Sequence, residues 1–454
     1  MVYRINLMLL LSSMVLVNAS AEPRIHRIEP LCLTIGETTK VTVIGEHLRE
    51  KEATTDIWAT FPGTWEPIEP VVEPGKEPDA RRIQFRVSLP AEVKPGPGAI
   101  RAWHKKGLSL PYLLLLDTTP ASHNFLTKSD APETYTFGVR AGQNLTYEIW
   151  SNRLNQDTDL LMTLHDVQGK ELAMADDDEV YGADPVLHFT APADGTYRLK
   201  MHDIRWRAGP QACLRIAKQP LLAVANPPDV RRTPKEVESI TIPAEVDQYL
   251  TITPTTLPIG SPALLLLELY DPKGNRCAQS GTGDTLDEVL RKKIDQAGTY
   301  ELRVRELLGR EGLPYDLDIS FDQAPFSVTV DGNRTWREVP LGAEQKIKFR
   351  VSRQNYDGPI TLTSTAFTMT NHVIPEKKGD IEAIFTLSPE LTAEQLIPFT
   401  VEASAEIHGR RYATAVNTLP QLRGTPKRLL RWPDGLDGIQ YLITAPPAKK
   451  EENP

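Results

Sequence analysis

The sequence predicts an all-β protein made of tandem β-sandwich domains. Proline accounts for 38 of the 454 residues, about 8% against an average of about 5%, and an internal proline disrupts a helix. Segments in which polar and apolar residues alternate indicate strands with one face in a core and one in water; they include 39–44, 82–87 and 346–351. Helical periodicity is scarce, and its best candidate, 284–294, is short.

An internal repeat sets the size of two of the domains. Residues 164–170 resemble residues 269–275, and Gly-Thr-Tyr occurs at 195–197 and again, 103 residues later, at 298–300. Because the offset stays nearly constant over several motifs, we expect two copies of one domain in tandem. In each copy an Asp-x-x-Gly stretch is typical of a hairpin turn, in which the aspartate caps the turn and the glycine takes a positive φ.

The first 21 residues predict export. A short positive start is followed by an apolar run over 5–17 and by the small residues Ala19-Ser20-Ala21. This is the pattern of a secretory signal peptide, cleaved after Ala21, and the run is too short for a membrane span, which takes about 20 apolar residues. No later segment is apolar enough to span a bilayer. We therefore expect the mature protein in the periplasm, at the cell surface or outside the cell.

Net charge and cysteine content exclude two classes of protein. The net charge is −9, whereas nucleic-acid binding relies on basic surface that displaces counterions, so nucleic acid is not an expected partner. The three cysteines, Cys32, Cys213 and Cys277, fall in three different predicted domains. An odd and dispersed set is no disulfide framework, and we expect small, buried apolar side chains instead.

The first copy of the repeat carries a set of motifs that occur together in one known family. The set comprises Tyr135-Thr136-Phe137, Ala141-Gly142-Gln143, residues 161–172, 176–178 and 189–192, and Gly195-Thr196-Tyr197. As a set they resemble the bacterial pre-peptidase C-terminal domain; the second copy resembles it less closely. The resemblance implies a jelly-roll-like β-sandwich that occurs beside exported proteases and in non-enzymatic surface proteins, and that carries no protease active site itself.

The segments on either side of the repeat also predict sandwiches. Ile28-Glu29-Pro30, the strand and glycine turn at 41–48 and the Gly107-Leu108-Ser109 hairpin resemble an IPT/TIG domain, which implies an immunoglobulin-like fold. The turn at 353–360 resembles one in bacterial immunoglobulin-like modules. The predicted organisation is a signal peptide (1–21), an IPT/TIG-like domain (22–118), a pre-peptidase C-terminal-like sandwich (119–220), its divergent copy (232–324), an immunoglobulin-like sandwich (325–417) and an extended C-terminal tail (418–454).

The sharpest candidate site is acidic and lies in the first copy. Calcium takes about six to eight oxygen ligands, several of them carboxylates on irregular loops, and Asp-rich loops at one end of a sandwich supply such groups. The predicted calcium ligands are Asp159, Asp176, Asp177, Asp178 and Asp184. The family resemblance favours calcium, because related domains often hold it. The aligned loop of the second copy, 280–284, has lost most of its acids, which leaves a solvated acidic turn as the alternative.

Motifs for catalysis are missing from the sequence. It has no Gly-x-Ser-x-Gly elbow and no His-Glu-x-x-His pair,. His165 and His202, each followed by aspartate, align with Tyr270 and Arg305 in the second copy, which favours solvated strand ends over a catalytic pair. Four aromatic residues of the first domain supply either a sugar-stacking or protein-binding face or packing within the sandwich: Trp58, Trp65, Trp103 and Tyr112.

These features predict a non-catalytic protein, not an enzyme, that acts in binding or adhesion at the cell envelope or outside the cell. The expected partner is a protein or a polysaccharide, recognised by loops and sheet edges. The alternative is an accessory, substrate- or polymer-binding component of a secreted protease system.

Overall fold

The computed structural model describes the chain from residue 22 to residue 447 with several internal gaps. The described residues are 22–49, 55–70, 78–118, 123–178, 182–218, 221, 237–256, 261, 263–281, 287–310, 313–332, 334–354, 356–388, 390–418, 421–422, 433 and 435–447. The predicted signal peptide, 1–21, lies outside them. Within these ranges the regular structure is strand, apart from one 3₁₀ turn, Asn152–Leu154, and none of it is a helix long and apolar enough to cross a membrane. The predicted all-β class, with tandem sandwiches, is confirmed.

The first sandwich pairs two sheets around one core. Their strand orders are β1-β3-β6-β5 and β2-β9-β7-β4, with β8 paired to β7. Alternation places every second side chain of β6 inside, as its sequence RIQFRVS predicts,. The bounds are β1 Arg24–Glu29, β2 Cys32–Thr34, β3 Thr38–Glu46, β4 Asp56–Ala59, β5 Thr64–Ile68, β6 Arg82–Ser88, β7 Gly96–His104, β8 Gly107–Leu108 and β9 Tyr112–Asp117.

The second sandwich contains the first copy of the repeat. Its sheets are β10-β17-β12-β15 and β11-β16-β13-β14, and they enclose a separate core that includes Tyr147, Met162 and Tyr197. The bounds are β10 His123–Leu126, β11 Glu133–Val139, β12 Asn144–Trp150, β13 Leu160–His165, β14 Glu171–Ala175, β15 Val186–Thr190, β16 Gly195–Asp203 and β17 Gln211–Ala217.

The third sandwich repeats this topology. Its first sheet, β18-β23-β20-β21, has the strand order of β11-β16-β13-β14, and its second, β22-β19-β24, matches three strands of the other sheet. The predicted helical segment 284–294 is wrong in its described part, because Leu290–Lys293 pairs with β19 as a strand. The bounds are β18 Glu238–Ala244, β19 Tyr249–Thr255, β20 Leu265–Tyr270, β21 Arg276–Ser280, β22 Leu290–Lys293, β23 Gly298–Glu306 and β24 Asp316–Ser320.

The fourth sandwich corrects the predicted extended tail at 418–454. Ile439–Ala445 forms β34, which pairs with β26 in parallel and with β32 in antiparallel. The prediction rested on the proline- and charge-rich stretches around this segment and missed its apolar run. The sheets are β25-β27-β31-β29 and β26-β34-β32-β28-β30, with β33 on β32. The bounds are β25 Phe326–Val330, β26 Arg337–Pro340, β27 Glu344–Arg353, β28 Ile360–Ser364, β29 Met369–Thr370, β30 Val373–Ile374, β31 Asp380–Thr386, β32 Leu396–Ile407 and β33 Arg410–Ala415.

The sandwiches contact one another beyond their order in the chain. Trp150 of the second sandwich joins the core cluster of the first, as do Leu422 and Leu436. A separate apolar cluster joins the first sandwich to the fourth, with Trp58 lying edge-on to Tyr441 at 5.0 Å between ring centroids. These contacts set the first, second and fourth sandwiches around a common junction.

Candidate functional site

The structure brings three of the five predicted calcium ligands together. Asp159 lies just before β13, and Asp176 and Asp177 directly follow β14. These strands are antiparallel neighbours, with Met162 opposite Ala175, so the start of one and the end of the other lie at the same end of the sandwich. One carboxylate oxygen from each of the three aspartates lies within 4.8 Å of the other two.

The electrostatics of this aspartate cluster favour a cation. Burial and the neighbouring carboxylates of Asp177 and Asp159 raise the pKa of Asp176, since like charges at short range disfavour ionisation. Arg205 reaches the cluster, with its Nη2 at 3.5 Å from Asp159 Oδ2, but its side chain is 66% exposed. An exposed ion pair of this kind contributes little, so the cluster keeps its excess of negative charge.

The surroundings of the cluster fit a hard cation. A cleft of about 500 Å³ borders it, and its lining includes Asp157, Asp178, Asn152 and Asn155. These groups offer oxygen ligands, which calcium prefers. Asp157 is also paired with Arg207, at 2.8 Å, so a bound ion would compete with two arginines.

The remaining two predicted ligands, Asp178 and Asp184, lie in different surroundings. Asp178 lines the cleft, and its backbone bridges to Gly182 across the loop. Asp184 is fully buried, and its carboxylate accepts hydrogen bonds from the backbone nitrogens of Ser151, Asn152 and Arg153. Asp184 therefore caps the 3₁₀ turn instead of facing the cluster, which corrects its assignment as a ligand.

A signal for this structural role was present in the repeat. Asp184 and Asp287 are offset by the same 103 residues as the Gly-Thr-Tyr motifs. In the third sandwich Asp287 Oδ1 accepts a hydrogen bond from the backbone nitrogen of Thr256 at 2.9 Å, as Asp184 does from Ser151. A carboxylate kept in the copy that has lost the other acids serves the fold, not a site specific to one copy.

Sequence reasoning missed a buried ion network at the joint between the first and second sandwiches. Arg153 contacts Glu148 at 2.9 Å and Asp184 at 3.0 Å, and all three side chains are almost fully buried. Arg215 continues the network to Asp117 of the first sandwich, at 2.8 Å. The available signal was a charged residue within each of two largely apolar strands, β12 and β17.

The remaining sequence candidates have structural partners. His165 lies within hydrogen-bond distance of Thr163 Oγ1, at 3.0 Å, and His202 stacks on Trp206, with centroids 4.4 Å apart. The first-domain aromatics pack against other residues: Trp58 and Trp103 in the cluster with the fourth sandwich, Trp65 against Phe85, and Tyr112 against Gln211 of the second sandwich. Cys32 and Cys213 are buried and Cys277 is half-buried.

A larger cleft opens where the first, second and fourth sandwiches meet. Its volume is about 1800 Å³, above the roughly 300–1,000 Å³ of common small-molecule pockets. The first sandwich contributes β1 and the turns on either side of β8, and the second contributes Asn155. The fourth contributes 334–338, the start of β27, Glu394 and the end of β34. We call it the junction cleft.

Comparison with known proteins gives a family match for one stretch of the chain. Residues 133–202, in the second sandwich, match a family model described as the bacterial pre-peptidase C-terminal domain, which confirms that resemblance; the IPT/TIG resemblance of the first domain stays a prediction. No curated protein matches the chain.

Two similarities to solved structures concern multidomain β proteins. Escherichia coli alpha-2-macroglobulin activated by porcine elastase is 11% identical, with 92% of this chain and 43% of that one covered and a TM-score of 0.16. The chain thus spans less than half of that protein. The N-terminal four Ig domains of Dscam1 isoform 6.44 are 12% identical, with 87% and 97% covered and a TM-score of 0.16. At such TM-scores neither similarity supports a functional argument.

Proposed function

We propose that the protein is an exported, non-catalytic binding protein that acts at the cell envelope or outside the cell. The observation that carries this proposal is the junction cleft, a surface of mixed charged and apolar side chains where three sandwiches meet. Binding residues on a rigid scaffold lose little conformational freedom when a partner is bound. The signal-peptide pattern supports the location, and the partner is an envelope or extracellular protein or polysaccharide.

Calcium belongs to this proposal as a stabilising ion of the second sandwich. Asp159, Asp176 and Asp177 would hold it, with Asp178 and the neighbouring amides completing an oxygen-rich site,. Bound there, the ion would neutralise the clustered carboxylates and fix the loop after β14. Its proposed role is structural, and no chemical step depends on it.

The test is capture with the mature protein. Immobilised residues 22–454 are incubated with envelope extract, and retained protein and carbohydrate are compared with those on beads carrying an unrelated acidic β-sandwich protein. Reproducible enrichment of one polymer or protein is the expected result, and enrichment equal to the control contradicts the proposal. Turnover of peptide, ester or glycoside substrates in a broad panel would contradict the non-catalytic part.

The accessory role in a secreted protease system is the second candidate. The family match at 133–202 favours it, since the family is described by its position beside peptidases. Capture of a peptidase, together with a change in the rate at which that peptidase cleaves a polymeric substrate, would support this role over independent binding.

A further inference from the structure

Basic side chains outnumber acidic ones in the junction cleft, although the protein as a whole is acidic. Six lysine or arginine residues line it against three glutamates, while the net charge of the chain is −9. A concave surface with an excess of one sign of charge concentrates counter-charged ligands. The cations are Arg24, Lys105, Lys106, Arg334, Arg337 and Lys346, and the acids are Glu22, Glu338 and Glu394.

Two of these cations have no anionic partner among the described residues. Lys105 pairs with Glu394 at 3.2 Å, Arg24 with Glu46 at 3.7 Å and Lys346 with Glu382 at 3.0 Å. In the part of the chain that the structure describes, no ion pair or hydrogen bond involves the guanidinium of Arg334 or Arg337. Burial and, to a smaller extent, the charge of Arg334 lower the pKa of Arg337. Two neighbouring guanidiniums left unneutralised in a cleft repel each other, and an anionic ligand relieves that repulsion.

A tryptophan lies between these two arginines in the sequence, and its side chain is held in place by contacts. Trp336 is half-buried in the cleft wall, packs on the cluster that joins the first and fourth sandwiches, and donates from Nε1 to Glu22 Oε1 at 3.2 Å. Because the indole ring is held in place, it offers a large contact surface and loses little rotamer entropy when a ligand binds. Arg334, Trp336 and Arg337 therefore combine anion recognition with an apolar platform.

The strand edges beside the cleft do not suit an extended peptide. Peptides that add to a sheet gain their affinity from main-chain hydrogen bonds to an open edge. β1 has a register shift between Ile25 and Arg27, and β26 is four residues long and ends at Pro340. Bulges, short edges and proline prevent strand addition, so recognition in this cleft has to rely on side chains.

We propose that the junction cleft binds a segment of an acidic polysaccharide, with Arg334 and Arg337 pairing with the anionic groups of the chain and Trp336 packing against a sugar ring. The cleft volume of about 1800 Å³ suits several linked sugars better than one small molecule. Guanidiniums bind carboxylate and sulfate groups through two parallel hydrogen bonds. This inference rests on the proposed binding function and assigns that function a site and a ligand class.

The experiment measures binding of the full mature chain to defined polymers by calorimetry. The probes are polygalacturonate oligosaccharides and their methyl esters, which keep the sugar chain and remove the charge. Dextran sulfate and dextran form the sulfate pair, and poly-glutamate is a polyanion without sugars. The variant R334Q/R337Q is compared with R140Q/R198Q, which removes two guanidiniums from exposed positions on the second sandwich. Urea midpoints of both variants establish that they fold.

We expect polygalacturonate or dextran sulfate to bind, with the stronger of the two showing which anionic group is recognised, and the neutral partner of each pair not to bind. R334Q/R337Q should bind at least about tenfold more weakly, a change of about 1.4 kcal/mol, while R140Q/R198Q binds like the wild type. Equal binding by R334Q/R337Q and the wild type, or binding of poly-glutamate in place of both glycans, overturns the inference.

The same variant separates this inference from the proposed function. If R334Q/R337Q on beads still captures the envelope partner, the protein is a binding protein and the cleft assignment is wrong. If neither the wild type nor the variant captures anything above the control, the proposed function itself fails.

Discussion

The second and third sandwiches are two copies of one fold. They share contacts that hold the fold together, which we call anchors, and they differ in surface residues. In the second sandwich the hydroxyl of Tyr197 donates to Ala193 O at 2.8 Å, and in the third the hydroxyl of Tyr300 donates to Gln296 O at 3.0 Å. A second shared anchor is the carboxylate at the end of the same strand as the tyrosine, which pairs with an arginine four residues later: Asp203 with Arg207, and Glu306 with Arg310.

The two copies differ where the second sandwich contacts the first sandwich and where it carries the aspartate cluster. Glu148 and Arg215, which join it to the first sandwich, align with Thr253 and Asp318 in the third. Asp159, of the aspartate cluster, aligns with Leu264. Shared residues therefore maintain the fold, whereas residues present in one copy alone mark contacts and sites specific to that copy.

The largest expected effect comes from breaking the buried ion network, which has no counterpart among the described residues of the third sandwich. Arg153→Met leaves Glu148 and Asp184 buried without their shared cation, and breaking a buried pair from one side costs about 3–5 kcal/mol. Hydrogen exchange followed peptide by peptide should show that loss in 144–217 and no change in 238–320. The control, Arg303→Met, removes a surface partner of Glu301 in the third sandwich. Equal protection in wild type and Arg153→Met would show that the network adds nothing.

Removing the shared carboxylate anchor should destabilise each of the two copies to a similar extent. Asp203 accepts from the backbone nitrogens of Asp159 and Arg205, and Glu306 from those of Leu264 and Leu308. Replacing either acid by alanine leaves these backbone donors without an acceptor and removes a carboxylate partner of the arginine, although Arg207 keeps its pair with Asp157. We expect each replacement to cost about 3 kcal/mol in its own sandwich. Local opening free energies from hydrogen exchange measure both. A loss in one copy alone would contradict a common anchor.

The pH dependence of this anchor has a definite sign. Burial opposes ionisation of Asp203 and Glu306, but hydrogen bonds from arginine and backbone outweigh it, so the pKa of each carboxyl is lowered in the folded protein. The stability they contribute is therefore complete above the ordinary carboxyl pKa of about 4 and is lost as the pH falls below it. The difference between wild type and each alanine variant should shrink over that acidic range.

A smaller effect is expected at the aspartate cluster. Calcium at about ten times its dissociation constant should stabilise the second sandwich by about 1.4 kcal/mol, reversibly on chelation. Asp159→Asn/Asp176→Asn should abolish this response, and in the absence of calcium it should not destabilise, since it removes like-charge repulsion. The third sandwich, with Leu264 and Gly281 at the aligned positions, is the internal control. Equal calcium responses from wild type and variant would leave the cluster as a solvated acidic turn.

The sequence predicts features that depend on local contacts and misses features that depend on contacts between distant parts of the chain. Period-two alternation and the repeat predicted the all-β class because both report on local strand geometry, and the approach of β13 and β14 followed from their hairpin turn. The predictions failed where a residue's partner lies far along the chain. The acidic neighbours of Asp184 predict a ligand, but its carboxylate accepts from the backbone nitrogen of Ser151. The prolines and charges around 439–445 predict a tail, but this segment is a strand between β26 and β32.

The smallest expected effect, and one of opposite sign, concerns Tyr147, which aligns with Ile252 in the third sandwich. Its hydroxyl is buried, and no described group lies within hydrogen-bond distance of it. Tyr147→Phe removes an unsatisfied polar group and should stabilise the second sandwich by up to about 1 kcal/mol. The matched control, Tyr197→Phe, loses a bond to Ala193 O and should destabilise by a similar amount.

Alkaline titration sharpens this prediction. Burial raises the pKa of Tyr147, so the folded state holds the phenolic proton more tightly than the unfolded chain. The stability linked to that proton is complete below the ordinary tyrosine pKa of about 10 and is lost as the pH rises above it. In wild type, protection of 144–217 should therefore fall faster above this pH than in Tyr147→Phe. Parallel curves for the two proteins would mean that the hydroxyl is reached by water in solution, and the expected stabilisation by Tyr147→Phe would then be absent.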